Sequence, residues 1–116
     1  MAELRLPYLN MVLMTGRFVD DPHQLAGKDD AKGAAFTLAV NRWTKGKPTV
    51  TTFVDCISWG ATAEAILASC SKGSPVQIAG SLGQYDKKSG KTITRKLQVS
   101  VHTAQFLARV ETDSSS

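Results

Sequence analysis

Along most of this chain apolar and polar residues alternate with a period of two, the pattern of strands that lay one face on a core. Met11, Leu13 and Thr15 alternate with Val12, Met14 and Gly16 in a first strand near residues 9 to 19. Both of its faces read as apolar, which predicts burial on both sides. Asp20, Asp21 and Pro22 end it, and the polar, glycine-bearing stretch from His23 to Gly33 reads as a loop. A second strand, Ala34 to Trp43, puts Phe36, Leu38 and Val40 on one face and Thr37, Ala39, Asn41 and Trp43 on the other. Lys45-Gly46-Lys47-Pro48 is a turn. A third strand follows from Thr49 to Trp59, with Val54, Cys56 and Ser58 set against Phe53, Asp55, Ile57 and Trp59.

Gly60 breaks the alternation, and from Ala61 to Ser71 the period changes. Ala63, Ile66, Leu67 and Cys70 fall at i, i+3, i+4 and i+7, which predicts one short amphipathic helix. Lys72 suits its C-terminal dipole and Gly73 the left-handed position that ends it. A fourth strand, Pro75 to about Tyr85, sends Val76, Ile78, Gly80 and Leu82 one way and Gln77, Ala79, Ser81, Gly83 and Tyr85 the other. Asp86 to Lys91 turns the chain, and a fifth strand runs from Thr92 to about Phe106 with Leu97, Val99 and Val101 on its apolar face. Three strands, a helix and two strands predict an all-β OB-fold, a five-stranded antiparallel Greek-key barrel with its one helix between strands 3 and 4. Residues 1–110 are expected to form this single domain and 111–116 a disordered tail.

The length of 116 residues is enough for a real core, and 42% hydrophobic with 21% charged residues excludes wholesale disorder. No apolar run approaches the roughly 20 residues that span a bilayer. The N-terminus, with Glu3 and Arg5 close together, lacks the layout of a secretory signal, so a soluble, cytoplasmic protein is predicted. Cys56 and Cys70 have no CxxC spacing and read as small buried hydrophobes.

Charge changes the picture through its distribution. Net charge is +4, yet residues 42 to 96 hold nine cations against three carboxylates. Eight of the nine lie in two short segments: Arg42, Lys45 and Lys47 in one, Lys87, Lys88, Lys91, Arg95 and Lys96 in the other. Such clusters fit a polyanionic partner. The period-two pattern also places four aromatic residues, Trp43, Phe53, Trp59 and Tyr85, opposite the apolar stripe. Flat rings for bases beside cations for phosphates are what a sequence-independent single-strand binder supplies. The competing account has Phe53 and Trp59 packed against another subunit or a barrel end.

Enzymatic alternatives find little support. His23 and His102 have no nucleophile or metal-ligand arrangement around them, the glycines form no phosphate-binding pattern, and Asp20 and Asp21 read as turn formers. No catalytic residue, metal or cofactor is expected.

Several blocks carry a resemblance: Asn10 to Arg17 with Asp21-Pro22, Ala35 to Arg42, Ile57 to Gly60, and Lys72 to Val76 with Ile78 to Leu82. Together, over about Asn10 to Leu107, they resemble the bacterial single-stranded DNA-binding protein family. That resemblance implies single-stranded DNA as partner, roles in replication, repair or recombination, base stacking on Trp43, Phe53, Trp59 and Tyr85, and a homotetramer, with a dimer as the alternative. A primosomal-replication-protein-N-like protein and an RNA-binding OB protein are the near alternatives. An oligosaccharide-binding or protein-interaction module is the distant one, and a sugar binder has no use for eight clustered cations.

Two departures stand out. Asp55 occupies a face where this family often has a cation; it is expected either to repel phosphate or to pair with Arg42 or Arg95. The family also commonly ends in a long linker and an acidic tip with a terminal phenylalanine, whereas this sequence stops at Ser116, which implies a shortened chain or a tail-less relative.

Overall fold

The long hairpin at the centre of the sheet keeps the alternation intact. In the computed structural model, which describes residues 8–107, β3 (Lys32–Arg42) pairs antiparallel with β4 (Val50–Trp59) from Gly33 opposite Trp59 to Arg42 opposite Val50. Phe36, Leu38, Cys56 and Ser58 therefore point together into the core, and Thr37, Ala39, Phe53 and Asp55 point together away from it. The remaining strands are β1 (Val12–Phe18), β2 (His23–Ala26), β5 (Pro75–Ser89) and β6 (Thr92–Phe106). In the order β1-β5-β6-β4-β3-β2 they make one sheet, and a further β1–β3 pairing at Arg17–Ala39 and Phe18–Leu38 joins the five long strands in a ring.

Three expectations about the sheet are corrected. Among the described residues it has six strands rather than five, because the segment read as a loop contains β2, which pairs with β3 from His23–Ala35 to Ala26–Lys32. It is not wholly antiparallel: β4 and β6 run parallel where Cys56–Ser58 meets Val99–Val101. Nor is β1 covered on both sides, since Leu13, like Met11 just before the strand, is about two-thirds exposed while Val12 and Met14 pack on the core. An apolar residue on a strand's outer face is compatible with water, so alternation of two apolar sets does not by itself mean double burial.

The β2–β3 connection is a type I′ turn over Lys28–Ala31. The Ala31 N–H donates to the Lys28 carbonyl at 3.1 Å, and both central residues, Asp29 (φ 56°) and Asp30 (φ 59°), are left-handed. Glycine tolerates that region without a Cβ penalty, and Asn-Gly is the usual pair. Asp30→Gly is therefore expected to raise stability by about 0.5 kcal/mol, the relief of strain exceeding the added chain entropy, and a thermal melt should read this as a rise of about 2 °C.

Among the described residues the single α-helix, α1 (Gly60–Ser69), lies between β4 and β5 and buries Ala63 and Ile66 against the ring, with Leu67 and Cys70 beside them. Its alanines give the segment high helix propensity. The helix ends at Cys70, whose N–H donates to the Ile66 carbonyl at 2.9 Å. Gly73 is left-handed (φ 89°) as expected, but it serves a separate Ser71–Ser74 turn that follows the helix. That turn pairs with the end of β1 through Phe18 and Gly73. Phe18 and Phe36 stack at 4.8 Å in a core completed by Leu38, Ile66, Val76, Ile78, Val99 and Val101. Both cysteines are buried, as read from the sequence; burial, and secondarily the charge of Asp55, pushes the Cys56 thiol up to about 12. The expected tail at 111–116 and the N-terminal residues around Glu3 and Arg5 lie outside the described residues.

Beyond the ring, β5 and β6 continue as a two-stranded arm. The turn expected over Asp86–Lys91 is confined to Gly90 and Lys91, with Ser89 still paired to Thr92. Gly90 (φ 61°) supplies the positive φ that a two-residue hairpin loop of type II′ needs at its first position. The expected tip is thus mostly strand.

Candidate nucleic-acid interface

The outward face of the β3–β4 hairpin is a row of cross-strand pairs in which a ring or a polar group meets a small residue. Trp59 lies opposite Gly33, Ile57 opposite Ala35, Asp55 opposite Thr37 and Phe53 opposite Ala39. This pairing lets rings lie along the sheet. A Cβ on Gly33 would come within 2.5 Å of the Trp59 ring, and one on Gly27, at the end of β2, within 2.7 Å. Trp59 thus rests one side on backbone and remains 45% exposed on the other. Phe53, at 67% exposed, and Trp43, at 72%, are more open still. Trp43 sits just past the end of β3, at the start of the loop that carries Lys45 and Lys47; Arg42 is the last residue of the strand.

Tyr85 joins this face from β5. Its hydroxyl donates to Asp55 Oδ2 at 3.2 Å, while Thr37 Oγ1 donates to Asp55 Oδ1 at the same distance. Partial desolvation, and then the adjacent carboxylate, push the Tyr85 phenol above its ordinary value. Asp55 therefore faces outward between Phe53 and Trp59 as expected, but the ion pair with Arg42 or Arg95 is absent: Arg95 Nε instead lies 3.4 Å from Asp86 Oδ1.

The arm's register sorts its cations. Tyr85 is opposite Lys96 and Lys87 opposite Thr94, so Lys87 and Lys96 share the Tyr85 side. Asp86 opposite Arg95 and Lys88 opposite Ile93 occupy the reverse side, with exposed Leu97 and Ile93. Lys91 is in the turn. The expected second cluster is consequently two clusters on two faces, of which only Lys87 and Lys96 join the rings. Beside Tyr85 lies a cleft of about 180 Å³ lined by Asp20, Asp21, His23, Thr37, Asp55 and Tyr85 among others. Asp21 also accepts the Lys72 N–H at 2.7 Å, which ties this corner to the turn after the helix. The face is thus acidic in its middle, with Lys87 and Lys96 on the arm beside it, whereas Arg42, opposite Val50, falls on the Leu38 side of β3 and Lys45 and Lys47 lie in the loop beyond. His102 is on the outside of the ring, its Nε2 3.1 Å from Ser81 Oγ.

Sequence reasoning missed three contributors: the Gly27–Gly33 seat of Trp59, the Thr37 hydroxyl and the Asp20–His23 corner. Thr37 was on the right face, and fixing the hairpin register would have set it against Asp55. The other two needed β2.

A mostly β chain in which five strands follow one another in a ring, with one helix between β4 and β5 and rings on the outer face of its central hairpin, defines the OB class of fold. The single-strand binding protein family matches residues 9–107, and the chain belongs to that family. It is similar to single-stranded DNA-binding protein A of Bacillus subtilis (strain 168), with 31% identity over 103 residues, which cover 85% of this chain and 59% of the relative. Single-stranded DNA-binding protein B of the same organism is 33% identical over 88 residues, covering 72% and 78%. A single-stranded DNA-binding protein of Fusobacterium nucleatum is 33% identical over 92 residues, covering 74% and 59%. The chain thus spans about three-fifths of the length of several relatives it matches.

Proposed function

We propose that this chain binds single-stranded DNA without reading its sequence. Bases would stack on Phe53, Trp59, Trp43 and Tyr85, and Lys87 and Lys96, with Arg42, Lys45 and Lys47 at the end of the hairpin, would neutralise phosphates. The observation that carries this reading is the pair of exposed rings on the outward face of β4, with two arm cations on the same side. Lys88, Lys91 and Arg95 would contribute to the general positive field more than to direct contact. The acidic middle of the face routes the charged backbone toward these cations and leaves the centre to bases. Membership of the family supports a protective, non-enzymatic role on single strands during replication, repair or recombination, in the cytoplasm at the nucleoid. It also supports a homo-oligomer, for which the exposed Leu13 on β1 and Met11 just before it offer apolar surface.

Titrating tryptophan fluorescence with dT oligonucleotides at several salt concentrations tests the proposal. Affinity is expected to fall steeply as salt rises, because neutralised phosphates release counterions, and duplex of the same length is expected to bind much more weakly. Equal affinity for duplex and single strand would sink the stacking account. Tighter binding of RNA than of DNA would reassign the partner, and salt-independent binding of an oligosaccharide would reassign the class.

A further inference from the structure

Asp55 is the residue of the face least suited to a phosphate, yet both of its carboxylate oxygens accept hydroxyl donors, Thr37 on one side and Tyr85 on the other. Their places in the fold give these bonds a mechanical meaning. Thr37 and Asp55 are register partners within the β3–β4 hairpin, whereas Tyr85 belongs to the arm. The backbone pairing of β4 with β6 begins only at Cys56 and Val99. From there outward the arm has no ladder to β4. Among the described residues, Tyr85 to Asp55 is the one side-chain hydrogen bond linking arm residues 83–98 to the β3–β4 hairpin.

We propose that Asp55 is a positioning residue that, through the Tyr85 hydroxyl, fixes the arm against the ring face, setting Tyr85, Lys87 and Lys96 in line with Phe53 and Trp59. The inference rests on the single-strand reading of the face. It replaces simple phosphate repulsion as the role of Asp55, and it does so without an ion pair, because the nearby guanidinium of Arg95 is turned to Asp86 on the arm's other side. A carboxylate at this point accepts two hydroxyls at once, which a lysine or arginine, having no acceptor, would not do. Losing it would leave the arm free to swing, and ordering it would then be charged to each binding event.

The test compares Asp55→Ala, Asp55→Asn, Tyr85→Phe and the Asp55→Ala/Tyr85→Phe double variant in dT-oligonucleotide titrations at low salt, with thermal melts as fold controls. Asparagine retains an acceptor for the phenol and alanine does not. Asp55→Ala is expected to bind about threefold to tenfold more weakly than Asp55→Asn, the size of one lost hydrogen bond. Tyr85→Phe should resemble Asp55→Ala, and the double variant should be no weaker than either single one, since both remove the same link. In a Tyr8→Phe background, the absorbance of the remaining phenol should show Tyr85 ionising at lower pH once Asp55 is alanine, because its negative neighbour and acceptor are gone. Alanine and asparagine variants that bind alike, both tighter than the parent at low salt, would overturn positioning in favour of repulsion. An unchanged phenol titration in Asp55→Ala would overturn the link itself. Failure of the parent protein to bind any oligonucleotide counts against the proposed function, and the phenol titration still decides the link. Should Asp55→Ala not fold, Tyr85→Phe carries the same comparison.

Discussion

Replacing Phe53 and Trp59 together by alanine is expected to cost about 2–6 kcal/mol of single-strand affinity, at about 1–3 kcal/mol for each stacked base. That is a loss of about one and a half to four orders of magnitude. The salt slope of the double variant should stay near that of the parent, because rings contribute no counterion release. Phe53→Ala is the cleaner half of the pair: Phe53 lies over Ala39 with most of its surface open, so stability should barely change. Trp59→Ala also uncovers the Gly27–Gly33 seat, and its melt is expected to fall as well. Neutralising Lys87 and Lys96 should do the reverse, flattening the slope by about 1.4 at roughly 0.7 per single-strand phosphate. Neutralising Lys88 and Arg95, on the arm's other side, should flatten it less. Oligonucleotide titrations at four salt concentrations measure all of these. Equal slopes for the two lysine-bearing pairs would show that the face assignment does not govern contact.

Gly80→Ala is expected to produce the largest loss of stability of any single methyl added to this chain, about 3 kcal/mol, at the upper end of the range for overpacking. Gly80 faces the core of β5 at the place where the register with β6 shifts, the strands passing from Ala79 opposite Thr103 to Gly80 opposite Val101. His102 is thereby the unpaired residue of a β-bulge. A Cβ on Gly80 would overlap the Ser100 carbonyl oxygen, which is backbone and cannot rotate away. The strands would have to part at the bulge. Urea denaturation should show a lower midpoint with an unchanged slope. A variant as stable as the parent would mean that the bulge is soft enough to absorb a methyl group.

How much of this was legible in the sequence follows from where alternation is strong. The β3–β4 hairpin, with Phe36 and Leu38 inward and Phe53, Asp55 and Trp59 outward, could be read because apolar and polar positions alternate and a Lys-Gly-Lys-Pro turn separates the strands. The helix was legible from Ala63, Ile66, Leu67 and Cys70. The short strand β2 was not, as only Leu25 among its four residues is partly buried and its turn carries Asp-Asp where a glycine would have signalled a hairpin. The arm was shortened in the reading because its outer residues are solvated on both faces, which erases the period of two. The parallel contact of β4 with β6 joins residues far apart in sequence and leaves no local mark. The outward placement of Asp55 was correct, but its partner depended on that unseen arm. Once Tyr85 lies within reach, a carboxylate that looked misplaced becomes an acceptor with two donors.

The sorting of cations on the arm also constrains how such a protein can change length over descent. Faces on a two-stranded ribbon are assigned by parity alone, so adding one residue to each strand at mid-arm would carry every residue beyond it to the opposite side. Lys87 would then turn from the rings and Lys88 toward them. Insertions and deletions that conserve the pattern must come two per strand, in matched pairs across the hairpin, whereas the turn at Gly90 and Lys91 can vary in sequence without that restriction as long as its first position accepts a positive φ. Arms of different length among descendants of this chain should therefore differ in quantised steps, and an odd step should be accompanied by a rearranged set of lysines.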